Sequence, residues 1–365
     1  MTSVPRPQLL TPDRRAPTMA RVAVWLLVLV LVGCGGGRAE PPLATRLQRT
    51  LDRERTMQHI PGAAAAVVAG GRVVWVGASG LADVRRRVPV SRDTRFAIAS
   101  VTKPFVAGLV VHLAATGVLD LDDPLSRWVP RFPGARRITL RQLLDQTSGL
   151  DDYVGEGRFV AAERRRGPEF AWAPRELLRY VPSPLAAPGE RWNYSNANYL
   201  LLGLVVERAT HRRIGPQLPD AFVFQPQERP AGEVAVGYFD GRPTRNDPFV
   251  PSREIASSAW SSGNLLASAG DLARVADDLL RAAPRRGMTR WVKAFGDAPE
   301  YGLGLMHIRL AGQDAWGHSG DIYGFHADLW YLPSADVTVV ALVNRNLQDG
   351  RRHLVEALAR AAAGE

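Results

Sequence analysis

Short apolar runs separated by turn residues occur near both ends of the chain, and this pattern predicts β-strands. Near the amino end, residues 63–69 and 72–76 flank Gly70-Gly71, a dipeptide that favours a tight hairpin turn. Near the carboxyl end, the same criterion predicts four strands, at residues 301–309, 315–319, 325–332 and 336–343.

Apolar residues three or four positions apart predict helices outside and between these strands. One helix is predicted to open the folded region at residues 43–58, and another to close it at 347–362. Four more are predicted in the middle, where the connections are long and rich in Pro and Arg, at residues 105–115, 140–145, 198–209 and 271–281.

Strands at both ends with helices between them predict an α/β fold of the α+β type. Because a two-stranded hairpin is marginally stable alone, we expect both ends to join one antiparallel sheet flanked by the terminal helices. The helical middle, roughly within residues 105–255, would form a lobe inserted between them. We therefore predict one domain over residues 43–365, with its site in a cleft between sheet and lobe.

The amino terminus carries an apolar run at residues 22–32, too short to cross a bilayer core of about 30 Å as a helix. Such a run is typical of a secretory signal, starting at Met1 or Met19. It ends in Leu31-Val32-Gly33-Cys34, which resembles a bacterial lipobox and predicts a signal peptide at 1–33, lipidation of Cys34 and a tether at 34–42. The alternative is a plain signal peptide with an incidental cysteine. Both predict export, and the lipobox adds anchoring to the cell envelope.

Composition narrows the class of protein. Hydrophobic residues make up 46% of the chain and charged residues 22%, as in a globular domain. The single cysteine excludes an intrachain disulfide, and no spacing of Cys or His indicates a structural zinc site. The net charge is +10, but the arginines are scattered and no aromatic-interleaved basic stripe accompanies them. We therefore expect a solvated basic surface and no nucleic-acid partner.

Lysine is rare in this chain, which makes its positions informative. All but two of the 46 Lys and Arg residues are arginine, and one exception, Lys103, forms a Ser-x-x-Lys with Ser100. On a helix, residues three apart share a face, so the amine would reach the hydroxyl. A serine nucleophile needs a base, and a buried lysine can lose its proton whereas arginine cannot. The alternative is a helix start with a surface lysine.

Two further short motifs carry candidate chemistry. Tyr194 precedes Asn196 by two residues, and a phenol can relay protons if a nearby cation lowers its pKa. His318 precedes Gly320 by two residues at the end of a predicted strand, where glycine permits close approach of a ligand. Taken singly, each motif is also compatible with a structural role, as a packed loop tyrosine or a hydrogen-bonded strand histidine.

Together, Ser100-x-x-Lys103, Tyr194-x-Asn196 and His318-x-Gly320 resemble, in this order, the three motifs of the serine β-lactamase and D,D-peptidase superfamily. The most similar branch is the class C-like group, which includes D-alanyl-D-alanine carboxypeptidases and related esterases. Segments 138–150 and 262–266 also resemble family signatures. The fold that this resemblance implies, an antiparallel sheet with flanking helices and a helical lobe, agrees with the fold predicted from periodicity.

The resemblance implies a catalytic role for four residues. Ser100 would attack a carbonyl and form an acyl-enzyme. Lys103 and Tyr194 would share proton transfer, and which of them is the acylation base stays open. His318 would orient or charge the phenol. Water would then release the acid, and no metal or organic cofactor is required.

The resemblance also implies substrate contacts. Backbone N–H groups of Ser100 and Asp321 would hold the oxyanion, Asn196 would position the substrate, and Ser319 and Gly320 would line the strand beside it. Two positions depart from the family. Gln146 stands where many members carry histidine, at a position we expect to be structural. Asp321 stands where a small or neutral residue is common, and its carboxylate would disfavour an anionic leaving group.

The function predicted is therefore that of an exported serine hydrolase acting on an amide or ester carbonyl, with D,D-carboxypeptidase-like or esterase activity. A β-lactamase is the alternative, and a non-catalytic penicillin-binding or sensor module is the alternative of another class. Expected partners are a peptidoglycan stem peptide, a β-lactam or an ester, and a membrane through the lipid anchor.

Overall fold

The structure, a computed structural model, describes residues 41–225, 227–230, 232–244, 249–295, 299–347 and 352–363. The predicted signal peptide and Cys34 lie outside the described residues. Within the described ranges, no helix is both long enough and apolar enough to cross a membrane.

The central element is an antiparallel sheet of nine strands in the described residues, in the order β3-β2-β1-β14-β13-β12-β11-β10-β9. Three short strands form a second sheet, β4-β8-β5, and two form a hairpin, β6-β7. The strands are β1 Gly62–Ala69, β2 Arg72–Asp83, β3 Val88–Pro89, β4 Phe96–Ala97, β5 Val223–Phe224, β6 Tyr238–Phe239, β7 Arg242–Pro243, β8 Leu265–Ala267, β9 Val292–Lys293, β10 Glu300–Tyr301, β11 Met306–Leu310, β12 Gln313–Ile322, β13 Phe325–Leu332 and β14 Val337–Val343.

Helices surround this sheet. Short 3-10 turns connect some of them, and the turn Ala99–Val101 leads directly into α2. The α-helices are α1 Leu43–Met57, α2 Thr102–Ala115, α3 Leu140–Leu144, α4 Gly157–Arg166, α5 Pro174–Leu177, α6 Asn196–Thr210, α7 Arg253–Gly263, α8 Ala269–Ala282 and α9 His353–Ala363.

The two ends of the chain meet at the centre of the large sheet, as predicted. Strand β1 pairs with β14 in a continuous antiparallel register from Ala63↔Val343 to Ala69↔Val337. Strand β1 also pairs with β2 through the predicted hairpin, in which Gly70 and Gly71 both have positive φ values, 56° and 76°. The prediction of one antiparallel sheet from both ends is confirmed.

Strand β1 shows why its sequence is continuously apolar rather than alternating. Alternate side chains point to opposite faces of a sheet. Ala64, Ala66 and Val68 belong to the core beneath the helical region, and Ala63, Ala65 and Val67 belong to the core under α1 and α9. Because both faces are covered, every position except the last, Ala69, is buried and the period of two disappears from the sequence.

Three predicted boundaries differ from the structure. The strand predicted at 72–76 continues to Asp83 as β2. The strand predicted at 301–309 is two strands, β10 and β11, because the chain turns at Gly304, where φ is 77°. A Cβ on Gly304 would lie 2.5 Å from Ala107 Cβ, so this turn packs directly against α2. The closing helix begins at His353 rather than at residue 347.

Helices α4, α5 and α7 were not predicted, because α4 is rich in charged residues, α5 is only four residues long and α7 mixes serines with its apolar residues. Helix α7 buries serines along with its apolar residues, and it depends on a Ser252 cap whose side chain accepts from Ile255 N–H. Helix α4 begins with a Glu156 side chain that accepts from Arg158 and Phe159 N–H. These caps and the surrounding tertiary packing stabilise helices that periodicity alone does not indicate.

Candidate active site

Ser100 and Lys103 lie where the 3-10 turn Ala99–Val101 meets α2, as the spacing predicted. The Lys103 amine is fully buried and donates hydrogen bonds to Ser100 Oγ at 2.9 Å and to the Ser262 carbonyl at 2.9 Å. It also donates to Asn196 Oδ1 at 2.8 Å. Ala99, just before the nucleophile, has a φ of 48°, a strained conformation for a residue with a Cβ. The chain therefore presents the serine from a sharp turn.

The environment of Lys103 favours its neutral form. Burial lowers the pKa of this amine to about 7, although the negative charge of Asp152 opposes the shift. Near neutral pH a large share of Lys103 is therefore unprotonated and can accept the proton of the Ser100 hydroxyl. A surface lysine, the alternative raised by the sequence, is excluded by this burial.

Tyr194 lies over the amine but does not act as a phenolate. Lys103 Nζ is 4.9 Å from the centroid of its ring. Burial, and then the neighbouring Tyr301, raise the pKa of Tyr194 well above its ordinary value, and a hydrogen bond with Ser100 only partly opposes this. The condition considered from the sequence, a nearby cation that lowers this pKa, is therefore not met, because burial of the phenol dominates. Of the two candidate bases, the geometry and charge favour Lys103, with Tyr194 as a neutral phenol that can relay a proton.

Asn196 is held in place by Asp152, a residue that the sequence did not indicate. Asp152 accepts from Asn196 Nδ2 at 2.8 Å and from Asn196 N–H at 3.1 Å. The amide oxygen is thereby turned toward Lys103. Ser195 caps α6 by accepting from Ala197 N–H, which fixes the backbone of the Tyr194-x-Asn196 motif. The signal available in the sequence was the position of Asp152 just after the 138–150 signature.

Gln146, the departure from the family pattern, supports the same motif. Its side-chain oxygen accepts from Ser195 N–H at 3.1 Å and from Asn198 Nδ2 at 2.5 Å, and the residue is fully buried. Its φ of 66° turns the chain so that its carbonyl accepts from Asn193 N–H at 2.9 Å. The residue thus connects the loop after α3 to the start of α6.

His318 is buried on β12 and is neutral. Its Nδ1 lies 2.5 Å from the Ser319 carbonyl, which can only accept, so Nδ1 carries the hydrogen. Nε2 then accepts from the Tyr301 hydroxyl at 3.1 Å. Burial, and then Lys103, lower the pKa of His318 to about 3. The predicted charging of the phenol by His318 is therefore wrong. The imidazole packs against Tyr194, with ring centroids 6.2 Å apart, and hydrogen-bonds to Tyr301.

Strand β12 runs directly against the nucleophile. A Cβ on Gly320 would lie 2.6 Å from Ser100 N and 2.8 Å from the Ile98 carbonyl, so only glycine fits there. Ser319 and Asp321 flank this point, and the Ser319 hydroxyl makes its contact with Met306 Sδ at 3.9 Å. The approach brings the backbone after Gly320 beside Ser100, where the predicted oxyanion donors are needed.

Two cavities meet at Ser100. The first, called here the apolar cavity, has a volume of about 330 Å³ and is lined by Ser100, Asn196, Val154, Phe159, Glu163, Ile255, Asp321, Tyr323 and neighbouring residues. The second, the aromatic cavity, has a volume of about 500 Å³ and is lined by Ser100, Tyr194, Trp192, Phe295, Tyr301, Met306, Ser319, Asp321 and adjoining residues. A substrate spanning both would place its carbonyl at the serine.

The arrangement supports acyl transfer. It supplies a nucleophile, a base with a suitable pKa, a neutral phenol and a strand edge beside the reacting carbonyl. In the described part of the chain, no group of three or more His, Cys, Asp or Glu side chains is placed to hold a metal ion.

Similarity to known proteins agrees with this chemistry. The chain is 32% identical to the esterase EstB of Burkholderia gladioli over 84% of its own length and 92% of that protein. It is 30% identical to a D-aminopeptidase of Cereibacter sphaeroides over 82% of its own length, but covers only 59% of that longer protein. Among solved structures, a D-stereospecific amidohydrolase from Streptomyces sp. superposes with a TM-score of 0.73 at 28% identity, covering 86% of this chain and 98% of the other.

The family model described as Beta-lactamase matches residues 47–363, which includes all three motifs. Fold, motif geometry and relatives agree, and the matched relatives are named as hydrolases of esters or amides. The chain is a serine hydrolase that belongs to the beta-lactamase family of the serine β-lactamase and transpeptidase superfamily.

Proposed function

We propose that this protein is primarily an esterase that works through an acyl-enzyme. Ser100 Oγ attacks the ester carbonyl while its proton passes to the neutral Lys103 amine. The carbon–oxygen bond to the alcohol then breaks, and the alcohol leaves with that proton, relayed by the Tyr194 hydroxyl. Water attacks the acyl-enzyme, regenerates Ser100 and releases the acid. The observation that carries the proposal is the 2.9 Å contact between Ser100 and a lysine whose pKa lies at about 7.

The charges around the cavities favour a neutral or cationic substrate. Among the described residues that line them, the charged side chains are Glu163 and Asp321, both acidic. Burial, and then the neighbouring Glu254, raise the pKa of Glu163. Glu163 and Glu254 therefore share a proton near neutral pH and carry one negative charge between them. A substrate carboxylate near these groups is repelled, which disfavours the carboxylate-bearing substrates of D,D-carboxypeptidases and β-lactamases.

A second candidate is an amidase acting on a D-amino acid amide or peptide. The same acidic lining would attract the ammonium group of such a substrate. The D-aminopeptidase and D-stereospecific amidohydrolase among its relatives support this candidate. The ester remains first, because the esterase is matched at 32% identity over 92% of its length, whereas the D-aminopeptidase is covered over only 59% of its length and the amidohydrolase is 28% identical.

The test begins with labelling of the purified full chain by a fluorophosphonate and by a fluorescent penicillin, beside Ser100→Ala and the control Ser334→Ala. Ser334 is exposed and lies outside both cavities. We expect fluorophosphonate labelling at Ser100 that only Ser100→Ala abolishes. A folded protein labelled by neither probe would support the non-catalytic alternative and contradict the proposal.

A substrate panel then separates the candidates. Neutral short-chain esters, D-amino acid amides, a D-alanyl-D-alanine peptide and a β-lactam are compared by kcat/KM. We expect neutral esters to be the best substrates and D-amino acid amides to exceed the carboxylate-bearing peptide. Faster turnover of the carboxylate-bearing peptide or of the β-lactam than of any neutral ester would overturn the assignment.

We further propose that the protein is exported and held in the cell envelope by a lipid on Cys34. The support is the sequence Leu31-Val32-Gly33-Cys34 after a short apolar run. Full-length protein expressed in a bacterial host is expected in the membrane fraction, and a Cys34→Ser variant in the soluble exported fraction. If the variant stays in the membrane fraction, the lipid anchor is wrong.

A further inference from the structure

A buried histidine lies between two carboxylates on β13, the strand paired with the one that runs against the nucleophile. Strands β12 and β13 pair so that Asp321 is directly opposite His326. His326 Nδ1 is 3.0 Å from Asp321 Oδ1, and its Nε2 is 3.0 Å from Asp328 Oδ2. Asp328 also accepts from Trp330 Nε1 at 2.8 Å. Asp321, His326 and Asp328 are called here the charged triad.

The charged triad is closed to solvent except at one end. The side chains of His326 and Asp328 are each 2% exposed, whereas that of Asp321 is 34% exposed. With an acceptor on each ring nitrogen, the imidazole is bonded most fully when both nitrogens carry hydrogen. Burial alone would lower the pKa of His326, but Asp328 and Asp321 together raise it to about 10. His326 is therefore a cation in the folded protein at neutral pH.

The exposed end of the charged triad belongs to the active site. Asp321 follows Gly320, whose backbone abuts Ser100, and Asp321 lines both the apolar and the aromatic cavities. One residue thus has two opposing effects on the reaction. Its N–H is the expected donor to the oxyanion, whereas its carboxylate, if turned toward the same point, would repel the negative charge developing there.

We propose that His326 is a positioning residue for the hydrolysis, an inference that rests on the proposed function. By holding the Asp321 carboxylate against β13, the imidazolium keeps that negative charge away from the reacting carbonyl. The same contact fixes the backbone of residue 321 so that its N–H stays directed at the oxyanion. An acidic residue at this position of the strand is thereby made compatible with catalysis.

The role predicts a specific kinetic change in His326→Gln, which keeps a hydrogen-bonding side chain but removes the cation. We expect kcat on a neutral ester to fall by about tenfold to a hundredfold with KM changed less than about threefold, since an oxyanion donor contributes on the order of 10²–10³ to kcat. On an ester whose acyl group carries a carboxylate, kcat/KM should fall by about a further tenfold. A matched control, His112→Gln, alters an exposed histidine on α2 and should leave both values unchanged.

A second substitution distinguishes positioning from general support of the hairpin. In Asp321→Asn/His326→Gln the displaced carboxylate no longer exists, so we expect most of the lost kcat to be recovered and the further tenfold loss on anionic esters to disappear. A double variant as slow as His326→Gln would overturn the proposal, and so would an unchanged kcat in His326→Gln itself. If His326→Gln does not fold, Asp328→Asn loosens the charged triad from its buried end, and the same loss in smaller degree is expected.

The two proposals fail separately. If the unmodified protein turns over neither ester nor amide, the proposed function is wrong. The rate at which the fluorophosphonate labels Ser100 still tests His326, because that reaction also develops negative charge on an oxygen beside β12. An equal labelling rate in the unmodified protein and in folded His326→Gln would then contradict the positioning role alone.

Discussion

Two histidines are buried on neighbouring strands, but one is neutral and the other is a cation at neutral pH. His318 on β12 is fully buried, hydrogen-bonds to the Tyr301 hydroxyl, and has its pKa lowered to about 3 by burial and then by Lys103. His326 on β13 is 2% exposed and lies between two carboxylates. Its pKa is raised to about 10, although burial opposes the change. Burial is nearly equal, so the partners decide the charge.

The two histidines belong to two groups of residues that have different roles in the site. Lys103, Tyr194, Tyr301 and His318 form what is called here the neutral network, in which burial disfavours every charged form. Such surroundings let a lysine act as a base near neutral pH. The charged triad, a few residues away, instead keeps fixed charges paired with one another. The neutral network supplies proton transfer, and the charged triad supplies position.

The largest expected effect on activity comes from replacing the base of the neutral network by a side chain that stays charged. Lys103→Arg keeps the cation but cannot provide a base, so acylation should fall by about 10³-fold, since a general base contributes on the order of 10²–10⁴. The measurement is the single-turnover rate of acylation by a chromogenic ester. The control is Lys293→Arg at the exposed Lys293 on β9, which should retain full activity. Retained activity in Lys103→Arg would place the base elsewhere.

A second prediction uses the pH dependence of stability to isolate the charged triad. Because the folded pKa of His326 is about 10, above the ordinary 6.5, its stabilisation is full below pH 6.5 and is lost as pH rises through 10. Lys103, lowered from 10.5 to about 7, acts in the opposite sense, since stability from its deprotonation grows between those values. The two effects offset each other in the unmodified protein.

Substituting His326 removes its contribution to the pH dependence of stability and leaves that of Lys103. Between pH 7 and 9 the free energy of unfolding of His326→Gln should rise relative to that of the unmodified protein by about 3 kcal/mol, at roughly 1.4 kcal/mol per pH unit. Urea unfolding at several pH values measures the difference. A constant difference over this range would mean that His326 is not charged in the folded state.

A third prediction concerns the hydrogen bond inside the neutral network. Tyr301→Phe removes the hydroxyl that donates to His318 Nε2 and leaves a buried acceptor without its donor. The expected loss is about 1–2 kcal/mol in the free energy of unfolding, measured by urea denaturation. Tyr331→Phe serves as comparison, because its hydroxyl bonds to Asp336, whose side chain is 45% exposed and can turn to water. Equal losses in both variants would contradict the account of His318.

The smallest expected effect is a shift in the pH dependence of acylation. In the unmodified protein, kcat/KM for a neutral ester should rise with pH through an apparent pKa of about 7, as Lys103 loses its proton. Asp152 raises the pKa of Lys103, so Asp152→Asn should move this limb to lower pH by less than about one unit. The rate on the plateau should also fall, since Asn196 loses the carboxylate that orients it. A limb displaced to higher pH would contradict the assignment.

Much of the site could be predicted because its motifs are local. The contact between Ser100 and Lys103 depends on the three-residue spacing at a helix start, and Tyr194 and Asn196 lie within one turn of each other. The contacts made by Asp152, Tyr301 and Ser262 could not be predicted, because each joins Lys103 or its partners across a long stretch of chain. His326 was also missed, because as a lone strand histidine it belongs to no motif and its meaning depends on Asp321 and Asp328.

The role of Asp321 could be predicted only in part from the sequence. The departure from a small or neutral residue was visible, and the hypothesis was that its carboxylate disfavours an anionic leaving group. In the structure that carboxylate is paired with His326 across two strands. The hypothesis identified the right residue but lacked its partner, which only the register of β12 against β13 supplies.

The sequence by itself determined the order of the chemical groups, the antiparallel sheet built from both ends and the choice of lysine over arginine at position 103. Those features depend on spacing, periodicity and residue type, which are properties of the chain. The charge states of Lys103, Tyr194, His318 and His326 were decided only by the tertiary structure. A pKa depends on burial and on charges within a few ångströms, and folding brings those charges from segments that are distant along the chain.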